Sequence, residues 1–166
     1  MKDYLSSLFA AYRQKGILID TNILLLWFVG AVNRDRISTF NRTQKFLPED
    51  YDTLLQILAS FQKIVTTPNI LTEVNSLANQ LGEPERSQCF SIFAHLVARL
   101  DEFYRESQNV ASQDKFVKFG LTDCGIMDLA RDRYLVLTDD LKLAHYLQKI
   151  GIDTINFNNI RTYGWN

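Results

Sequence analysis

Four acidic residues far apart in the chain, Asp20, Glu73, Asp123 and Asp140, stand where carboxylates can act together. Asp20 closes the apolar run Ile17-Leu18-Ile19, and Asp139 and Asp140 follow Leu135-Val136-Leu137-Thr138. Glu73 lies two turns beyond Ile64-Val65-Thr66, and Asp123 precedes the apolar residues Ile126, Met127, Leu129 and Ala130. Clustered carboxylates repel, so such a group takes up protons or binds a cation. Oxygen ligands without Cys or His partners suit Mg²⁺ or Mn²⁺ rather than Zn²⁺. A cation of that kind lowers the pKa of bound water and stabilises charge on a phosphoryl group. The chemistry expected is phosphodiester hydrolysis by water, with one carboxylate as general base.

The elements around these acids follow from periodicity and punctuation. Tyr4, Leu5, Leu8, Phe9 and Tyr12 recur at helical spacing, and Gly16 reads as the stop. Short apolar runs at 17–19, 64–66, 134–137 and 154–156 read as buried parallel strands. Helices are expected over 22–30, 53–62, from Pro68 to about Gly82, over 84–104, from Thr122 to about Arg131, and up to Ile150. Segments 31–50 and 107–115 read as loops. Strands alternating with helices predict an α/β fold, a three-layer αβα sandwich around a central, mostly parallel sheet of about four or five strands. One domain is expected over 1–166, because that length suits a single core. Ligands bind beyond the carboxyl ends of such strands, which is the edge where the acids fall.

Helical phase separates the acids from their neighbours. At roughly 100° per residue, Asp123 shares a side with Met127 and Ala130, whereas Asp128 points to solvent. An acid on an apolar stripe is costly unless it is paired. Glu73 lies at the margin of its stripe, and Asp140 is in phase with Leu143, Ala144 and Leu147. Each acid also has an ordinary explanation. Asp20, Asp139 and Asp140 can cap helices, and Asp123 can favour a helix N-terminus. Four acids on one sheet edge are what the ordinary explanations leave over.

These residues carry a resemblance. Ile17-Leu18-Ile19-Asp20-Thr21-Asn22 resembles the opening of the PIN domain family, an apolar strand running into Asp-Thr-Asn. Thr67-Pro68-Asn69-Ile70-Leu71-Thr72-Glu73-Val74 resembles its second block, and Gly120-Leu121-Thr122-Asp123 its third. Leu135-Val136-Leu137-Thr138-Asp139-Asp140-Leu141 resembles the fourth, in which Asp140 takes the acid's place and Asp139 is the variable neighbour. The resemblance spans nearly the whole chain. It implies a metal-dependent endoribonuclease using Mg²⁺ or Mn²⁺ on Asp20, Glu73, Asp123 and Asp140. Thr21, Asn22, Thr138 and Asp139 would orient those acids. The family often supplies the toxin of a toxin–antitoxin pair, so RNA, an antitoxin protein and a second copy of the chain are the partners implied.

The rest of the chain bounds this reading. Arg34, Arg36, Arg42 and Lys45, with Phe40 among them and only Asp35 opposing, can track an RNA backbone or form a solvated loop. The net charge of −1 gives no global electrostatic case for nucleic acid. Cys89 and Cys124 follow no metal spacing and read as buried thiols. His95 lies between apolar neighbours and reads as packing; His145 reads as solvated. The apolar 84–104 segment serves the core or an interface. No run approaches the roughly 20 residues that span a bilayer, and the start of the chain carries no signal pattern; a cytoplasmic protein is expected. Competing readings are a catalytically silent RNA- or protein-binding module, a structure-specific DNA nuclease, and an aspartyl-phosphate phosphatase. The last needs an acid where Asn22 stands.

Overall fold

Parallel strands require crossover connections, and the chain supplies them in two directions from one central strand. The computed structural model describes residues 2–163. In chain order the elements are α1 (Lys2–Tyr12), β1 (Ile17–Ile19), α2 (Thr21–Val32), a 3₁₀ turn (Arg34–Arg36), α3 (Pro48–Leu58), β2 (Ile64–Thr66), α4 (Pro68–Ala78), α5 (Glu85–Val97), β3 (Asp101–Glu102), α6 (Ser107–Ala111), α7 (Phe116–Ala130), β4 (Leu135–Thr138), α8 (Leu141–Lys149), β5 (Thr154–Asn156) and α9 (Phe157–Tyr163). The sheet order is β3-β2-β1-β4-β5, and every pairing is parallel. The fold is therefore α/β with a five-stranded parallel sheet between helical layers. Right-handed crossovers put the connections running from β1 out to β3 on one face and those leading to β4 and β5 on the other. Accordingly α2 packs against α3, α4 and α5, while α7 packs against α8.

The apolar run after Asp20 explains the centre of the first helical layer. Ile23, Leu24, Leu25, Leu26, Phe28 and Val29 of α2 are all buried, so this helix is apolar on every side because it is covered on every side. Phe28 meets Phe93 of α5 edge to face at 5.0 Å. Gly30 lets α3 approach: a methyl group there would lie 2.3 Å from Cδ2 and 2.7 Å from Cγ of Tyr51. Because the near end of the ring is hit as well as its edge, the whole side chain must shift. Gly30→Ala is expected to lower stability by about 1–3 kcal/mol, the usual cost of overpacking, despite Ala's helix propensity. A urea unfolding midpoint equal to the parent's would contradict this.

Several boundaries differ from the sequence expectation. Helix α3 begins at Pro48, not near Thr53, because Pro fits the first turn and the Asp50 carboxylate accepts a 2.8 Å hydrogen bond from the Leu47 N–H. The segment expected as one helix over 84–104 ends at Val97, and Asp101–Glu102 forms the fifth strand against Val65 and Thr66. Residues 107–111, expected as loop, form a helical turn and a half. Helix α7 begins at Phe116, before Thr122, and bends at Gly120, whose φ of 77° and ψ of −173° only glycine adopts readily. His95 is exposed, with Nδ1 2.9 Å from the Ser91 carbonyl, rather than packed in the core. Cys89 and Cys124 are buried free thiols, as expected. No helix among the described residues is long and apolar enough to cross a membrane.

Candidate active site

The strand order reverses between β1 and β4, and in open parallel sheets the crevice beyond such a reversal is the usual ligand site. Asp20 ends β1 there, and Thr138 ends β4. The two strand ends are tied together: the Asp20 N–H donates to the Leu137 carbonyl at 3.0 Å, and Thr138 Oγ1 donates to Asp20 Oδ2 at 2.6 Å. The Thr21 N–H donates to Asp20 Oδ1 at 2.7 Å, so Asp20 also caps α2. Capping and site placement thus coincide in one residue. Only 7% of Asp20 is exposed.

Glu73 comes from α4, whose start is set by the Thr67 hydroxyl accepting from the Ile70 N–H and by Pro68 in the first turn. Its carboxylate is gripped by two threonines. Thr21 Oγ1 donates to Oε2 at 2.7 Å and Thr122 Oγ1 donates to Oε1 at 2.5 Å. Thr122, expected as a helix cap, instead joins α7 to α4 immediately after the Gly120 bend. The following residue, Asp123, is half-buried, whereas Asp128 is exposed and pairs with Arg105 at 2.9 Å. Phase analysis separates those two acids in the same way.

The fourth block divides its labour. Asp140 is exposed and caps α8, its Oδ1 accepting from the Leu143 N–H at 2.9 Å, while its own N–H donates to Thr138 Oγ1 at 3.0 Å. Asp139 is the buried neighbour, 8% exposed. It accepts 3.1 Å from Asn22 Nδ2 and forms an ion pair with Lys45. Lys45 was read in the sequence as part of an RNA track; its ammonium is spent on Asp139. Arg34 is paired with Asp52 and Arg42 Nε donates to Gln80 at 2.8 Å. Arg36 is half-buried and donates to Thr39, and Phe40 is 3% exposed in the core. In the 31–50 segment Arg34 and Lys45 are thus ion-paired and Phe40 lies in the core, whereas Arg36 and Arg42 bond only neutral side chains and Arg36 Nε is buried without a hydrogen-bond partner among the described residues. Sequence alone does not show this, because the partners of its cations lie up to 94 residues away, as Lys45 and Asp139 do.

Electrostatic repulsion links the acids. Burial pushes the Asp20 carboxyl up to about 6; the bonds from Thr138 and Thr21 oppose the rise, and the charges on Asp139 and Glu73 add to it. Burial pushes Asp123 up to about 7, reinforced by Asp20, Asp140 and Glu73, with Lys142 pulling the other way. Asp123 thus feels the charges of the other three predicted acids, and Asp20 that of Glu73. Among the described residues no three carboxylate, histidine or cysteine side chains form a ready-made metal cage. The donor chemistry nonetheless fits a hard divalent cation. Every candidate donor is a carboxylate oxygen with a lone pair beyond the one its hydrogen bond uses, and two of the carboxyls carry an unfavourable charge that a cation would offset. The fold and the site define a class: a parallel α/β sandwich with an acidic crevice at its strand reversal. Compared with known proteins, the chain matches no family model, no curated protein and no solved structure.

Proposed function

We propose that this chain is a metal-dependent endoribonuclease of PIN type, working on RNA in the cytoplasm, where the toxin role implied by the resemblance would place it. The observation that carries the reading is the hydrogen-bonded chain at the β1–β4 reversal: Glu73 is tied to Thr21 beside Asp20 and to Thr122 beside Asp123, and Thr138 bonds both the Asp20 carboxylate and the Asp140 N–H. Capping alone accounts for Asp20 and Asp140 but not for Asp123 or for a glutamate held by two threonines. Asp20, Glu73 and Asp123 would hold Mg²⁺ or Mn²⁺, and Asp140 would complete the acidic rim. The cation supplies a lowered pKa for its water and charge stabilisation at the phosphoryl group. Thr138 and the Thr21 N–H hold Asp20 in one rotamer; Thr21 and Thr122 hold Glu73. The test is cleavage of a labelled single-stranded RNA by the parent chain with Mn²⁺ and with chelator. Metal-dependent product is expected, and product unaffected by chelator would refute the reading.

The threonine grip makes a further expectation. Partners that orient a metal-binding carboxylate are worth roughly 10–100-fold in metal affinity or activity. Thr122→Val should weaken Mn²⁺ binding by about that factor, and Thr122→Ser should largely restore it. Calorimetric titration with Mn²⁺ measures both; parent-like affinity in Thr122→Val would remove Glu73 from the metal site.

A further inference from the structure

Two further basic residues lie near the acids, on α7 and α8. Lys118 and Lys142 are exposed and converge on one ring: Lys118 Nζ lies 5.1 Å and Lys142 Nζ 5.0 Å from the Phe119 centroid. Lys142 Nζ also donates to the Lys118 carbonyl at 3.3 Å, and Lys118 Nζ lies 5.9 Å from the Tyr146 ring. The two rings themselves meet at 4.7 Å between centroids. Among the described residues neither ammonium forms an ion pair with a carboxylate, whereas Arg34, Lys45, Arg86, Arg105 and Arg161 all do. Two like charges share the Phe119 ring, an arrangement that a polyanion would relieve.

The cluster sits between the acids and an open cleft. Lys142 is the second residue of α8, directly after the Asp140 cap, and its charge is felt at Asp123. Lys118 and Phe119 lie on the first half of α7, and Asp123 on the second, across the Gly120 bend. Tyr146 then borders a cleft of about 300 Å³ whose walls carry charges of both signs, Lys115 and Arg131 as well as Asp114 and Asp128. The sequence of groups leading away from the acids is cation, aromatic, aromatic, polar cleft. Alternating cations and aromatic faces hold single strands, because phosphates and exposed base faces are presented together only when the strand is unpaired.

We propose that Lys118, Lys142, Phe119 and Tyr146, with the adjoining cleft, form the track that holds single-stranded RNA beside the acidic crevice. The two lysines take neighbouring phosphates, and the rings and cleft take a base. This assignment rests on the ribonuclease reading for the identity of the polyanion.

The test is the salt dependence of binding, measured by anisotropy with a labelled single-stranded RNA on the full chain carrying Asp20→Asn to prevent turnover. Each phosphate neutralised contributes about 0.7 to the slope of log affinity against log salt for single strands. Adding Lys118→Ala and Lys142→Ala should weaken binding and make the slope shallower by about 1.4, while the Lys-to-Arg pair retains it. Lys15→Ala with Lys63→Ala, at the opposite end of the strands, should leave the slope unchanged. Tyr146→Leu should lower affinity by roughly tenfold without changing the slope. Both lysines are exposed, so the variants are expected to fold, and far-UV dichroism verifies it. An unchanged slope in a chain that cleaves RNA overturns the track alone. A lowered slope in a chain whose unmutated form never cleaves RNA upholds the track and overturns the nuclease reading. No RNA binding overturns the track, whatever the metal assays show.

Discussion

Asp20→Asn and Asp123→Asn are each expected to reduce Mn²⁺-dependent cleavage of single-stranded RNA by on the order of 10²–10⁴-fold, the range lost with a positioned acid–base group. Asn is nearly isosteric with Asp but keeps one acceptor, so the Thr21 N–H retains its bond while the Thr138 hydroxyl must turn to accept from the new Nδ2. What disappears is negative charge at the place where a cation would sit. The two variants should therefore lose metal affinity and turnover together while retaining the fold. Glu83→Gln is the contrast. Glu83 is exposed and pairs with Arg86 at 3.6 Å, so its neutralisation should leave cleavage within about twofold, as surface ion pairs contribute little. Rates from denaturing gels over a series of Mn²⁺ concentrations separate loss of affinity from loss of turnover. Parent-like rates in both Asp20→Asn and Asp123→Asn would end the assignment of these acids.

The same charges predict a stability effect of opposite sign. The Asp20 carboxyl titrates near 6 in the native chain and the Asp123 carboxyl near 7, against an ordinary value of 3.8. Between about pH 4 and 7 the native state consequently holds protons that the unfolded chain has already released. Stability from these groups is complete below pH 4 and is lost as pH rises through 6 and 7. For Asp20, which is buried, the rise corresponds to on the order of 3 kcal/mol at 1.36 kcal/mol per unit. In chelator, Asp20→Asn should thus become more stable than the parent on going from pH 4 to pH 8, by up to about that amount relative to their difference at pH 4. Mn²⁺ at about 100 times its dissociation constant should restore about 2.7 kcal/mol to the parent at pH 8 and little to the variant. Urea unfolding at four pH values, with and without Mn²⁺, measures each arm. A parent-minus-variant difference that does not move with pH would show that Asp20 bears no unfavourable charge in the folded state. Loss of function with gain of stability is the expected signature of an acidic site held together for a cation.

How much of this was legible before the structure depends on the range of the interaction. Strands β1, β2, β4 and β5 follow from short apolar runs ended by polar residues, and Asp20 follows from its place at the end of one of them. The starts of α4 and α8 follow from Thr67-Pro68 and Asp140, whose capping bonds reach only three residues. Asp123 over Asp128 follows from helical phase. Strand β3 was hidden within an apolar helical pattern, because Asp101 and Glu102 are extended by pairing with β2 across more than 30 residues rather than by their own preference.

The order of residues along the chain determined the α/β alternation and the places of Asp20 and Asp140 at strand ends, since both rest on periodicity and nearest neighbours. Tertiary structure alone decided how the acids are held. Thr21 and Thr122 grip Glu73 across 52 and 49 positions, and Lys45 neutralises Asp139 so that the buried member of the Asp139–Asp140 pair is not the one nearest Asp123 in charge. It also decided which cations are neutralised: Arg34 and Lys45 pair with Asp52 and Asp139, whereas Lys118 and Lys142 form no ion pair with a carboxylate among the described residues and rest on Phe119. A side chain's charge is written in the sequence, but whether that charge is already satisfied depends on which distant groups the fold brings within about 4 Å of it.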